Sequence, residues 1–225
     1  MLRYYDERAP EYEEAYLLGT GTASLPDPTV FRTEAALLAG VVGRFASGRL
    51  IDLACGTGYW LPQYAERCSS ITAFDQSERM LDEFRKKMTR LGIGGRCRVV
   101  AADFFGYQFN RAAFDCALVG FFLSHLTEGQ EKILFDALEH MLHPCGRFLI
   151  LDSAYSAERA RFNAQIERQE RRLNDGACFE IYKRYCDRQD IDGWAGRYNV
   201  TTVVEHFGTA FYAVSGVFNR SSHRP

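Results

Sequence analysis

Five short apolar runs punctuate the middle of the chain: RLIDLA (49–54), SITAFD (70–75), CRVVAAD (97–103), FDCALVGFF (114–122) and GRFLILDS (146–153). They are apolar at nearly every position, as strands buried on both faces must be. Helical periodicity falls between the first three, at about 58–67 and 77–91, and again after the fourth at about 127–142. Strand and helix alternating at this spacing predict a parallel sheet covered by helices on both faces. Two later runs, NVTTVVEHF (199–207) and AFYAVSGVF (210–218), are joined only by Gly208 and Thr209. Two residues allow a hairpin and exclude a helical crossover, so these strands are expected to be antiparallel. The predicted fold class is α/β: a doubly wound, Rossmann-like sheet of seven strands, five parallel plus a C-terminal antiparallel hairpin.

Ahead of the sheet, 2–18 and 29–46 read as helices separated by a proline-broken loop at 19–28, so 1–46 is expected to form a helical cap. Residues 154–198, between the fifth and sixth strands, are far longer than one crossover helix and read as an inserted lid. Within it, SAERARFNAQIERQERRLNDG predicts a helix capped by Ser156, with Glu158 at its third position and a stop at Gly176. CFEIYKRYCD, where Phe179 and Ile181 alternate with Glu180 and Tyr182, predicts a strand or extended arm, and Asp190–Ala195 a short helix. The expected organisation is one domain over 1–220 with 221–225 as a flexible tail.

At 225 residues, 47% hydrophobic and 25% charged, the composition suits a single globular unit. A net charge of -2 and a pI of 6.2 provide no global field toward nucleic acid or an anionic membrane. No apolar run approaches a membrane span, and the opening MLRYYDERAPEYEE lacks a signal-peptide core, which predicts a cytoplasmic protein. Seven cysteines (Cys55, Cys68, Cys97, Cys116, Cys145, Cys178, Cys186) are scattered singly; they read as reduced thiols packed as small hydrophobes.

The first run leads into a glycine-rich turn, LIDLACGTGYW, with an acid inside it. Read as a dinucleotide fingerprint it gives G-T-G-Y-W-L from Gly56, placing Leu61 where a small residue must let the helix approach the strand. About 45 residues also precede it, whereas that turn usually opens its domain. Read as D-x-G-x-G-x-G it gives Asp52-Leu53-Ala54-Cys55-Gly56-Thr57-Gly58, with alanine where the first glycine stands. In this the chain resembles the class I S-adenosylmethionine (SAM)-dependent methyltransferases, over about residues 1–218. The resemblance implies SAM as cofactor, S-adenosylhomocysteine (SAH) as its product, and no metal. Asp52 can reach the ammonium of SAM, directly or through water. Asp75, at the end of the second run, can accept both ribose hydroxyls. In Asp103-Phe104-Phe105 a carboxylate can accept from the adenine amino group while an aromatic covers the ring. Successive strand ends lie on the ligand-binding edge of such a sheet; the alternative for both acids is a strand-end cap. Ala54, Gly56, Thr57, Gly58, Gln76, Met80 and Gly120 complete the implied cofactor site. A second G-T-G, at Gly19–Gly21, has no strand before it.

Methyl transfer needs a nucleophile aligned with the sulfonium, and sometimes a base. After the fourth run stands Val119-Gly120-Phe121-Phe122-Leu123-Ser124-His125, without the [DN]-P-P-[YF] turn that base-modifying amine methylases share. Pro144-Cys145 lies before the fifth strand, away from that site, and reads as strand entry rather than a nucleophile. His125 is the one histidine near the fourth strand end; it reads as a base, a donor to a substrate oxygen, or a packed helix-entry residue. Between 156 and 188 eight cations face six acids, a net +2 against -4 elsewhere. These charges are either a solvated helix face laced with i,i+4 pairs or a lid gripping an anion.

ACGTGYW, FFLSHL and RRLNDGACFEIYKRY resemble a subgroup of O-methyltransferases that includes the dehydrophos-pathway phosphonate O-methyltransferase and carboxyl methyltransferases of peptide natural products. The resemblance implies an acidic oxygen as acceptor and a lid set of Arg171, Asp175, Gly176, Phe179, Lys183 and Tyr185, with Arg171 and Lys183 orienting the acid. It also implies that YYDERAPEYEEAY folds over the cofactor with Tyr5 and Tyr12 near the reaction centre; alternatively those tyrosines pack the cap. A carboxylate or phosphonate is ionised at pH 7 and needs no general base, only charge-assisted donors. The expected activity is therefore SAM-dependent O-methylation of a carboxylate or phosphonate on a small molecule or peptide in natural product biosynthesis, by a monomer or homodimer, with no nucleic-acid or membrane partner. Three other readings stay open: a neutral hydroxyl or amine acceptor with His125 as base, a non-catalytic SAM-binding module, and a nicotinamide enzyme.

Overall fold

The strand that carries the glycine turn lies inside the sheet, next to its central strand. A computed structural model describes residues 1–14, 25–158 and 166–220. The seven strands are β1 (Gly48–Leu53), β2 (Cys68–Asp75), β3 (Cys97–Ala101), β4 (Phe114–Gly120), β5 (Leu142–Ser153), β8 (Val200–Phe207) and β9 (Phe211–Phe218), in the order β3-β2-β1-β4-β5-β9-β8. The first five run parallel, and β9 pairs antiparallel with both β5 and β8. The chain order reverses between β1 and β4, the topological switch point at which ligands bind in such sheets.

Alternate residues of the central strands feed two cores. Leu50, Cys116, Leu118, Leu149 and Leu151 face one layer, formed by α2 (Thr29–Phe45), α3 (Leu61–Tyr64) and α4 (Glu78–Arg90). Ile51, Leu53, Ala117, Val119, Phe148 and Ile150 face the other, formed by α5 (Glu128–Met141) and the short helices α6 (Arg188–Asp192) and α7 (Trp194–Tyr198). The helix starts follow local chemistry. Ser77 accepts from the Met80 N–H at the start of α4, and Thr127 with Gln130 forms a capping box on α5.

Two expectations change. The N-terminal helix α1 spans only Leu2–Arg8, after which Ala9–Glu11 tightens into a 3-10 turn at Pro10; residues 15–18 of the expected helix lie outside the described residues. The helix expected from Ser156 to Asp175 is not one over its second half: Ile166–Arg172 is strand β6, paired antiparallel with β7 (Cys178–Arg184) in a separate ribbon. The cause is visible in the burial pattern. Gln169, Arg171 and Leu173 are buried while Arg168, Glu170 and Arg172 are exposed, a period of two that no helix can present. Residues 159–165 and the expected tail at 221–225 lie outside the described residues.

Buried Glu34 of α2 ties the cap to the C-terminal hairpin: its carboxylate accepts the N–H groups of Thr209 (2.8 Å), Ala210 and Phe211 (2.8 Å), and His206 Nε2 lies 3.3 Å away. Removing the carboxylate strands several buried donors, each costing roughly 1–3 kcal/mol. Glu34→Ala is expected to destabilise the protein by about 3 kcal/mol, read as a lower urea midpoint with an unchanged slope; an unaltered midpoint would show that water takes over those donors.

Candidate active site

A cavity of about 240 Å³ opens over the C-terminal ends of β1, β2, β3 and β4. Its floor is the glycine turn. Ala54 and Gly56 both line it, with φ of +54° each. A side chain at Gly56 would bring a Cβ to 3.5 Å from the Tyr12 ring, so the turn and the cap close on one another there. Gly58 has a different duty: a Cβ there would stand 2.7 Å from Phe84, so this glycine lets α4 pack against the turn. Ala54 stands where the motif has its first glycine. The backbone makes its own demand there, since a left-handed non-glycine residue costs about 1–2 kcal/mol.

Asp75 stands at the end of β2 and lines the cavity; one carboxylate oxygen accepts from the Gly56 N–H at 2.9 Å and the other from the Ser77 N–H at 2.9 Å. Burial raises its pKa against the pull of these donors. Asp103 accepts from the Phe105 N–H at 3.3 Å, beside Phe104 and Phe105. Gln76, Met80 and Gly120 also line the cavity. Phe74, Phe121 and Phe122 complete its aromatic wall, and Phe121 sits at φ +56° with its N–H on the Leu151 carbonyl at 2.8 Å.

At one end Tyr5, Tyr12 and His125 all line the cavity. Tyr5 Oη and His125 Nε2 are 2.6 Å apart, and His125 Nδ1 is 2.9 Å from the Tyr182 carbonyl. That carbonyl can only accept, so Nδ1 carries the proton and Nε2 accepts from the Tyr5 hydroxyl. Burial, then the charges of Lys183 and Arg171, hold the imidazole pKa well below its ordinary value. His125 is therefore neutral, with both ring nitrogens engaged.

Asp52, Thr57, Arg171 and Lys183 do not line the cavity. Asp52 lies beneath the turn, 2% exposed, accepting from the Tyr64 hydroxyl at 2.6 Å. Thr57 donates to Glu13 at 2.9 Å, and Lys87 bonds both Glu13 and the Thr57 carbonyl, so this corner latches the N-terminal segment rather than touching a ligand. Asp6 adds a second latch by accepting from Ser77 Oγ at 2.6 Å. Neither latch was foreseen; the only sequence signal is acids interleaved with the tyrosines. Lys183, on the buried face of β7, donates to Ser124 Oγ at 2.5 Å and stands 3.5 Å from the buried carboxylate of Asp152. Arg171 is 6% exposed and donates to the amide oxygen of Gln169. Among the described residues it has no carboxylate partner. Of the other lid positions, Tyr185 is buried and donates to Gln169 at 3.2 Å, Phe179 packs on Tyr4, and Asp175 and Gly176 form the β6–β7 turn.

The donor set fits SAM and not a pyrophosphate. Two acids line the cavity and no Lys or Arg does, so the lining favours a cationic ligand. Ribose hydroxyls suit Asp75, adenine suits Asp103 with its flanking phenylalanines, and the small, left-handed floor lets a ligand approach the backbone. Among the described residues no group of three or more His, Cys, Asp or Glu is arranged to hold a metal, and no helix is long and apolar enough to cross a membrane.

Comparison with known proteins agrees with this geometry. Residues 50–146 match the family described as Methyltransferase domain. The ubiquinone/menaquinone biosynthesis C-methyltransferase UbiE of Blochmanniella pennsylvanica (strain BPEN) is 29% identical over 162 residues, which cover 70% of this chain and 59% of that protein. The match thus spans less than two thirds of the relative's length. The DhpI–SAM–HEP complex superposes with a TM-score of 0.75 at 20% identity, covering 96% of this chain and 94% of DhpI. The glycopeptide N-methyltransferase MtfA gives 0.62 at 19% identity, over 83% and 89% of the two chains.

Burial raises the Asp52 pKa from 3.8 to about 7. The folded protein then holds this proton more tightly than the unfolded chain, so stability falls as pH rises from about 4 to about 7. Asp52→Asn keeps an acceptor for Tyr64 and removes that loss. Its melting temperature relative to the parent is expected to climb between pH 5 and pH 8; a constant offset would place the Asp52 pKa in the ordinary range. Residues 50–146 carry the match to a methyltransferase domain, and the fold of almost the whole chain is that of the SAM-dependent methyltransferase structures it superposes on.

Proposed function

We propose that the protein transfers the methyl group of SAM to an acidic oxygen, a carboxylate or phosphonate, of a small molecule or peptide. The observation that carries this reading is the buried guanidinium of Arg171, which has only a neutral amide for a partner among the described residues. It lies on the lid face packed against Tyr4 and Tyr5, behind the end of the cavity where Tyr5 meets His125. A cation buried without a counter-charge costs several kcal/mol, and an anionic ligand offsets that cost. The state of His125 supports the same reading: a neutral imidazole engaged at both nitrogens is poorly placed to take a proton from a neutral hydroxyl. An ionised acid requires no such step.

SAM, when bound, supplies the electrophilic methyl group. The chain's own residues do the rest. Asp75 and Asp103 orient the nucleoside, the latched N-terminal segment excludes water, and Arg171, backed by the Lys183–Asp152 pair, attracts and orients the acid. The similarity in fold to the DhpI–SAM–HEP complex over nearly the full chain is consistent with SAM as the methyl donor. UbiE, a C-methyltransferase, and MtfA, an N-methyltransferase, supply the competing outcomes.

Methyl-labelled SAM should be incubated with the protein and a panel of carboxylates, phosphonates, C-terminal peptides, phenols, quinols and amines. Label on a carboxylate, released as methanol by alkali, or label on a phosphonate oxygen supports the proposal. Label confined to carbon, phenols or amines overturns it. With the preferred acid, Arg171→Gln is expected to lower kcat/KM by about 10–100-fold, the worth of a lost charged hydrogen bond.

A further inference from the structure

The two ends of the cavity are opposite in charge. Asp75 and Asp103 line the cofactor end, while the side chains of Lys183 and Arg171 back the acceptor end, and Lys183 has the carboxylate of Asp152 at 3.5 Å. Arg171 has no carboxylate partner among the described residues. It is not on a solvated surface: Gln169 and Arg171 of β6 are buried, as is Leu173 just after it, and Leu173 with Ile181 packs on Tyr4 and Tyr5. The neighbouring Arg8 is paired with Glu11 at 3.2 Å, whereas the guanidinium of Arg171 meets only the neutral amide of Gln169 among the described residues.

SAM carries a positive sulfonium and SAH a neutral thioether, and the two are otherwise nearly alike. A fixed cation beside the acceptor end therefore acts on one and hardly on the other, and with little water between them the interaction is weakly screened. We propose that Arg171 couples the two ligands: its buried charge opposes SAM while the acceptor position is empty, and an acidic acceptor, lying between guanidinium and sulfonium, turns that opposition into attraction. The inference rests on the acidic-acceptor reading above and adds a consequence for binding order. SAM and acid strengthen one another's binding, and by linkage the effect is reciprocal.

The reaction then erases both charges in one step. A lone pair of the acceptor oxygen forms the new O–CH3 bond as the S–CH3 bond breaks, and the pair of that broken bond stays on sulfur. Anion and sulfonium become a neutral ester, or a phosphonate monoester with one charge fewer, and a thioether; no proton moves. Neither product keeps the full attraction that assembled the complex.

Calorimetric titration of the full chain with SAM and SAH, each with and without methylphosphonate or hippurate, tests this. The anion is expected to tighten SAM binding on the order of tenfold and to leave SAH nearly unchanged. Arg171→Gln is expected to tighten SAM relative to SAH in the absence of any anion, and to abolish the anion's effect. Arg171→Lys, which keeps the charge, should restore the coupling. A structural role alone would move SAM and SAH together in both variants, and that result overturns the inference. If the anions bind but favour SAM and SAH equally, the coupling fails while the acidic-acceptor reading stands. If neither anion binds in any combination while SAM does, the acidic-acceptor reading itself fails and takes the coupling with it.

Discussion

The Tyr5–His125–Tyr182 chain of hydrogen bonds holds the reactive end of the molecule together. It joins three segments far apart in sequence: the N-terminal helix, the turn after β4, and the lid ribbon. The Tyr182 carbonyl dictates the imidazole tautomer, and the tautomer dictates which way the Tyr5 hydroxyl points. The adjoining residues brace the same contact. Lys183 reaches Ser124, and Arg184 bonds Glu131, which also accepts from Tyr198 at 2.7 Å. Three consecutive lid residues are thus fastened to the turn and helix that follow β4. The ribbon forms a fixed wall there, while the opposite side of the cavity is closed by the Asp6 and Glu13 latches.

The cofactor half of the site was legible because backbone geometry and side-chain chemistry coincide along a parallel sheet. A turn after β1 and acids ending β2 and β3 must meet at one edge, so spacing alone brings Gly56, Asp75 and Asp103 together. Asp52 shows where that reasoning thins. Its position in the motif places it within the turn region, but whether its side chain turns to the ligand or under the turn depends on Tyr64, twelve residues on and one layer away. Thr57 is similar, drawn off by Glu13.

The lid was less legible, for a physical reason. An amphipathic pattern is found by its apolar stripe, and the inward face of β6 carries Gln169 and Arg171, with the apolar Leu173 just past its end. With charged residues through the segment, the i,i+4 spacing of a charged helix is matched as well as the alternation of a strand. Only the partner strand resolves the ambiguity, since β7 sets Ile181 and Phe179 opposite Gln169 and Arg171. The polarity that hid the strand is the property that gives the site its charge.

That choice of structure also explains how a guanidinium can be kept there. A helix over 156–175 would turn each successive cation through about 100° and send most of them to water. A two-stranded ribbon instead holds alternate residues against the body of the protein, so Arg171 stays buried while Arg168, Glu170 and Arg172 remain solvated outside. A cation held this way is costly to the protein by itself, because water that would screen it is excluded. Gln169 and the Tyr185 hydroxyl that braces it supply dipoles but no opposite charge. What remains is a site with a standing preference for an anion, set behind a neutral histidine and across the cavity from carboxylates that favour a cation. Methyl transfer from a sulfonium to an acid oxygen is a reaction whose reactants carry those two charges in that order.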